Sequence, residues 1–372
     1  MAYGSKEAAK KHWCRVWFGL LLFSTCGVSL QARTESYSNT VYLPYYRLPR
    51  PHESSYRGGK VMPSAKAFDF GYHDPEPFIS GNILYSEREV PQFQEYLLAA
   101  LASGRITQIN YFRLLPGKDG DGSIDLTGFY PEHMEYLQRL RRIYGFRLVI
   151  CVAGGSSRFL PVMKKEALRR QLAQNIIDLA QTWQLDGVDF DWEYPRSKKD
   201  MKSYIALIKE VQAGLRQGKD EAEAQNYRVS VAISRLQAAL TTELFQAVDT
   251  INFMAYDFTP RHSTMEDARE MVEYLVARFA IPTRKIFLGL PFYGKQIKTG
   301  RRKAKTYRRL AQESNLASED NEAKGYYFNG QDMIQQKFNL AEDEDLGGIM
   351  IWEIGQDSED HRSLLKILPR QK

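Results

Sequence analysis

Asp186-Gly187-Val188-Asp189-Phe190-Asp191-Trp192-Glu193-Tyr194-Pro195 carries two interleaved series. Acids stand at 189, 191 and 193, and apolar residues at 188, 190 and 192. Side chains alternate across a strand, so this segment, folded as one, presents an apolar face and a row of three carboxyl groups. Burying three neighbouring carboxylates costs several kcal/mol unless they find donors, share protons or shift their pKa values. Stability alone gives no reason for such a row, whereas acid–base chemistry does. The last acid is followed by Tyr-Pro and so falls at the strand's C-terminal end, where parallel barrels collect their reactive groups.

Outward from this strand, short apolar runs repeat along the chain, at 67–72, 106–112, 147–153, 187–193, 228–233, 250–255, 285–291 and 348–352. They are rich in β-branched and aromatic residues, as strands buried on both faces should be. Val41 to Tyr46 competes with 67–72 for the first place. Helical patterns lie between the runs, at 90–102, 131–144, 164–183, 198–215 and 265–279. Pro131 suits a first helical turn and Gly145 a helix stop. Eight strands alternating with helices predict a single (β/α)8 TIM-type barrel over 66–372, with a short insertion before the last strand.

The remaining stretches read as decoration. Residues 33–65 form an irregular lead-in. Residues 116–128 form a turn-rich loop whose Asp119, Asp121 and Asp125 lack the glutamate of a calcium-binding EF-hand. Residues 294–346 hold a basic run at 298–309, which reads as a solvated face. His262 follows the sixth strand with no second ligand for a metal, and reads as a loop histidine. No metal or organic cofactor is implied.

Hydrophobic residues make up 43% and charged residues 26% of 372, the balance of a globular chain able to bury a large core. Net charge is +6, half of it from residues 1–32, where Lys6, Lys10, Lys11 and Arg15 face Glu7. The remainder is too mild to argue for nucleic acid. Basic residues followed by an apolar run at 16–30 make 1–32 a signal peptide or membrane anchor and predict a secreted or extracytoplasmic protein, held at the membrane only if the segment is an anchor or Cys26 carries a lipid. Cys14 and Cys26 fall in that segment, leaving Cys151 alone in an apolar run as a core residue.

Asp186 to Pro195 resembles the signature of glycoside hydrolase family 18, the chitinase family. Met254-Ala255-Tyr256-Asp257-Phe258 resembles the family's sixth-strand motif, Pro291-Phe292-Tyr293-Gly294-Lys295 closes a segment like its seventh, and Gly347 to Glu353 is similar to its eighth. Two departures stand out. The family's third strand carries Ser-x-Gly-Gly where this chain has Val152-Ala153-Gly154-Gly155, which is expected to leave Asp189 without that serine's support. The stretch 294–346 is also too short for the α+β domain that larger members insert, which implies a shallower, more open cleft.

The resemblance implies hydrolysis of β-1,4 linkages between N-acetylglucosamine units of chitin or chito-oligosaccharides by a monomer. Glu193 would protonate the leaving oxygen, and the substrate's own 2-acetamido group would attack the anomeric carbon to give an oxazolinium ion. Asp191 would orient the acetamide and stabilise that cation, with Asp189 sharing its proton. Tyr256 would donate to the acetamide oxygen, while Asp257, Trp352 and Met254 would contact the sugar. Two alternatives use the same barrel: an endo-β-N-acetylglucosaminidase acting on N-glycans or other GlcNAc glycans, and a non-catalytic chitin-binding lectin. Such lectins usually lack the terminal glutamate that this chain keeps.

Overall fold

The computed structural model describes residues 38–48, 90–234, 239–298 and 303–370. Eight strands are mutually parallel: β1 (Ser38–Pro44), β2 (Gln108–Pro116), β3 (Arg147–Gly155), β4 (Gly187–Glu193), β5 (Arg228–Ile233), β6 (Thr250–Phe253), β7 (Ile286–Pro291) and β8 (Gly348–Trp352). Each pairs with the next, and β1 pairs with both β2 and β8, so the sheet closes on itself. The predicted (β/α)8 barrel is the observed fold. Helices Val90–Ala102, Pro131–Tyr144 and Met265–Phe279 coincide with their sequence patterns. Pro131 opens its helix, and Gly145 ends it in the left-handed region at φ 73°, where a side chain would be strained.

The first strand differs from expectation. It is Ser38–Pro44, inside the stretch read as an irregular lead-in, so the barrel starts well before residue 66. Residues 67–72 lie outside the described residues, as does the apolar segment 16–30. Val41 and Leu43 face the helices and Tyr42 points inward, so this strand takes in the start of the Val41 to Tyr46 run that competes for the first place. No described helix is long and apolar enough to cross a membrane.

Outward residues of the strands, such as Val188, Phe190 and Trp192, pack against the helices in one large core. Trp192 is wholly buried there, stacked on Phe159 at 5.0 Å and edge-on to Tyr204. It faces away from the barrel axis. The interior is a separate, smaller cluster of Tyr42, Phe112, Cys151, Ala153, Tyr256 and Met350, among others, with Met254 and Trp352 partly buried at its rim. Gly289 on β7 makes room for this cluster: a Cβ there would stand 2.3 Å from the Phe253 carbonyl oxygen and 3.0 Å from the Tyr256 ring.

Two loops are resolved into structure. In 116–128, Asp121 accepts from Ser123 N and Asp125 from Thr127 N, while Asp125 also pairs with Arg158 at 3.0 Å. These acids close turns. Between β7 and β8 the insertion folds as four short antiparallel strands, ordered Ala304–Thr306, Tyr293–Gln296, Tyr326–Tyr327 and Glu322–Ala323. Within the basic run, Lys305 and Arg309 both reach Glu313, so that charge is answered inside the chain.

Candidate active site

The three acids of β4 point into the barrel, as their spacing requires, yet each meets a different environment. Asp189 is fully buried at the bottom. Three donors converge on it: the Tyr42 hydroxyl at 2.6 Å, the Ser230 hydroxyl at 2.5 Å and the Asn252 amide at 2.9 Å. They come from β1, β5 and β6. Asn252 also donates to the Tyr42 oxygen at 3.2 Å, tying two of the donors together.

Asp191, one step higher, is 5% exposed, and its Oδ1 has no hydrogen-bond partner among the described residues. Burial drives its carboxyl well above the ordinary range, and the nearby charges of Glu193 and Asp189 add to the rise. Tyr42, Ser230 and Asn252 anchor Asp189, and its charge is one of the causes that raise Asp191 above it.

Glu193 ends the ladder at the mouth. Its side chain reaches solvent, but the crowded rim strips away enough water to raise its pKa, and the charge of Asp257 adds to this. A hydrogen bond from Tyr194, and then the charges of Arg113 and Lys295, pull it the other way. An acid that holds its proton above the usual range, at an open rim, is suited to protonating a leaving group.

Tyr256 lies just beyond β6, 7% exposed, and burial followed by the charges of Asp257 and Asp191 keeps its hydroxyl protonated. The protein partner of that hydroxyl is the Met350 sulfur at 3.8 Å, a weak acceptor, so the O–H remains available to a better one. Asp257 adopts a left-handed backbone, φ 70°, and meets the insertion sheet. Tyr293 donates to it at 2.6 Å and the Lys295 ammonium lies 2.6 Å away. Burial alone would raise its pKa, but Lys295 and Tyr293 outweigh burial and hold it far below the carboxylate range.

His262 is fully buried rather than a free loop residue. Its Nε2 donates to the Tyr293 carbonyl at 3.1 Å, and Nδ1 stands 3.7 Å from Asp257, too far for a good hydrogen bond. Burial lowers its pKa and favours the neutral ring. No group of three or more potential metal ligands occurs among the described residues.

Trp352 is half-buried at the end of β8, edge-on to Phe112 at 4.8 Å and 5.5 Å from Tyr42. Just after it, Glu353 forms a buried ion pair with Arg47 at 2.5 Å and accepts from Gly355 N, bracing the ends of β8 and β1. Asp186, at the opposite end of β4, pairs with Arg141 at 2.7 Å and accepts from Leu148 N, a structural brace.

The concern over Val152 is resolved by parity. Val152 packs outward with the helices, and the β3 residue beside Asp189 is Cys151, which is inward, buried and free. Burial and then the charge of Asp189 raise its thiol pKa, so it is a protonated neighbour of the ladder. Polar support comes instead from Ser230 and Tyr42.

Seven sequence candidates, Asp189, Asp191, Glu193, Tyr256, Asp257, Trp352 and Met254, thus gather at the C-terminal end of one barrel. Sequence reasoning passed over Tyr42, Ser230, Asn252, Tyr293, Lys295 and Arg113. A signal existed for two of them: Ser230 and Asn252 are polar residues at inward positions of otherwise apolar, alternating strands.

Comparison with known proteins agrees with this geometry. The family model "Glycosyl hydrolases family 18" matches residues 85–357. A probable endochitinase of Caenorhabditis elegans is 29% identical over 164 residues, 38% of this chain and 27% of that protein. Endochitinase 1 of Metarhizium robertsii is 24% identical over 56% of this chain and 61% of its own length. The chain therefore spans less than two thirds of these relatives. A crystal structure of a chitinase from Bacteroides thetaiotaomicron has the same fold, with a TM-score of 0.64 at 24% identity over 74% of this chain and 91% of that one.

Proposed function

The chain belongs to glycosyl hydrolases family 18, and from that membership we propose that it hydrolyses β-1,4 bonds between N-acetylglucosamine units, as in chitin or chito-oligosaccharides, with retention at the anomeric carbon. The observation that carries this reading is the graded ladder on β4. One carboxyl group at the open mouth has its pKa raised above the ordinary range, and directly beneath it a buried carboxyl oxygen has no described partner.

In the first step the Glu193 carboxyl gives its proton to the glycosidic oxygen as that bond breaks. The acetamido oxygen of the substrate, not a second protein carboxylate, bonds to the anomeric carbon. Asp191 Oδ1 accepts from the acetamide N–H and offsets the positive charge of the oxazolinium ion. The Tyr256 hydroxyl donates to the acetamide oxygen and orients it. Trp352 supplies an apolar surface under the ring. In the second step Glu193, now a carboxylate, takes a proton from water, which reopens the oxazolinium from the face the leaving group left.

Glu193→Gln tests the reading. It preserves size and polarity but removes the proton, and general acid catalysis is typically worth about 10²–10⁴ in rate. Turnover of chito-oligosaccharides should fall at least that far while binding survives, and the wild-type first product should be the β-anomer. Near-normal turnover of the variant, or an α-anomer, would falsify the mechanism. Weighing products from a GlcNAc-core glycopeptide beside chitotetraose separates the chitinase reading from the endo-β-N-acetylglucosaminidase one.

A further inference from the structure

Arg113 is held at the mouth by a local irregularity of β2. Inward and outward side chains alternate up to Phe112, which faces the interior, and Leu114 faces the helices. Between them the register with β3 slips: Phe112 opposes Cys151, yet Leu114 opposes Val152. Arg113 is therefore an extra residue, a bulge of the kind that re-aims one side chain at a strand's end. Without it, position 113 would continue the outward series of Ile109 and Tyr111 and lie among the helices.

The bulge places the guanidinium 5.0 Å over the Phe112 ring, and Phe112 in turn abuts Trp352. Its charge is felt by Asp191 and Glu193. Yet among the described residues Arg113 forms no ion pair, in contrast to Lys295, which is committed to Asp257 at 2.6 Å. A cation beside the general acid opposes retention of the proton, so for a neutral sugar chain it is a liability. Contact with an aromatic ring explains where the guanidinium rests, not why a bulge delivers it to the rim.

We propose that Arg113 reads the substrate, receiving a carboxylate carried by the sugar next to the cleaved bond. The preferred substrate is then an acidic glycan in which N-acetylglucosamine is β-1,4-linked to a carboxylate-bearing sugar. This rests on the hydrolase reading above and narrows its substrate class. A planar guanidinium suits a carboxylate through two parallel N–H bonds, and a substrate anion there also cancels the charge that works against Glu193.

The test compares three tetrasaccharides: chitotetraose, one alternating N-acetylglucosamine with N-acetylmuramic acid, and one alternating it with glucuronic acid. The wild type should cleave one of the acidic pair with kcat/KM at least tenfold above chitotetraose, the size of effect one charge-assisted hydrogen bond supplies. Which of the two responds identifies the acidic sugar. Arg113→Gln should cut the acidic-to-neutral ratio at least tenfold, and Arg113→Lys should restore part of it. A wild type that cleaves chitotetraose as well as or better than both acidic substrates overturns the inference without any variant. So does a folded Arg113→Gln protein whose ratio falls less than tenfold. A wild type inert on all three substrates refutes the hydrolase reading itself.

Discussion

Asp191 and Asp257 stand at the same mouth and titrate in opposite directions. Asp191 sits on the barrel floor among other acids, with one oxygen unpartnered, so burial and like charge lift its pKa. Asp257 leaves β6 at the junction with the insertion sheet, where Tyr293 and Lys295 approach to 2.6 Å, and its pKa falls despite burial. The two regions share a residue type and differ in what crosses over to meet it. The floor makes negative charge costly at Asp191, and the insertion side maintains a fixed negative charge that raises Glu193 from the other flank. Two carboxyl groups pushed apart by their surroundings are a common mark of divided catalytic labour.

The sharpest way to break this comparison is Asp191→Asn. The substitution keeps shape and burial but cannot supply negative charge to a developing cation. Removing one preorganised electrostatic group typically costs about 10²–10³ in kcat, so a loss of that order is expected, with a melting temperature close to that of the wild type. A loss below about tenfold would mean that the floor acid is structural.

A smaller effect should follow from Tyr42→Phe, which removes one of the three donors to Asp189. A hydrogen bond to a charged group is worth about 1.5–3 kcal/mol, and chemical denaturation should register a loss in that range. Turnover should drop too, because the base of the ladder loosens. Unchanged stability would show that Ser230 and Asn252 suffice.

The smallest effect concerns the other region. The folded pKa of Asp257 is depressed, so its contribution to stability is complete above the unfolded value, near ~3.9, and is lost as pH falls through the folded value. Lys295→Met should therefore lower the melting temperature at neutral pH and converge with the wild type in strong acid. The cost should stay below about 1 kcal/mol, since the Asp257 side chain is 43% exposed and partly screened. The same substitution removes a charge that lowers the Glu193 pKa, so the alkaline limb of the kcat profile should move to higher pH. A melting difference that persists undiminished in acid would detach Lys295 from Asp257.

Much of this was legible in the chain. Periodicity located seven of the eight barrel strands, and helix Pro131–Tyr144 could be bounded from its first proline and its terminal glycine. Strand β1 was legible only as a competitor, since Val41 to Tyr46 and 67–72 both read as apolar runs and only pairing with β2 and β8 decides between them. His262 escaped because nothing local distinguishes a loop histidine from one buried under Tyr293.

By itself the sequence determined that β4 has an acidic face and that Glu193 is its outermost acid, because side-chain alternation is a property of a single strand. It could not rank the three acids. Asp189 owes its donors to residues as far as 147 positions away, Asp191 owes its raised pKa to burial and like charges on the same floor, and Asp257 owes its lowered one to the sheet inserted after β7. Protonation depends on every charge and donor within a few ångströms, and the closing of the barrel alone decides which residues those are.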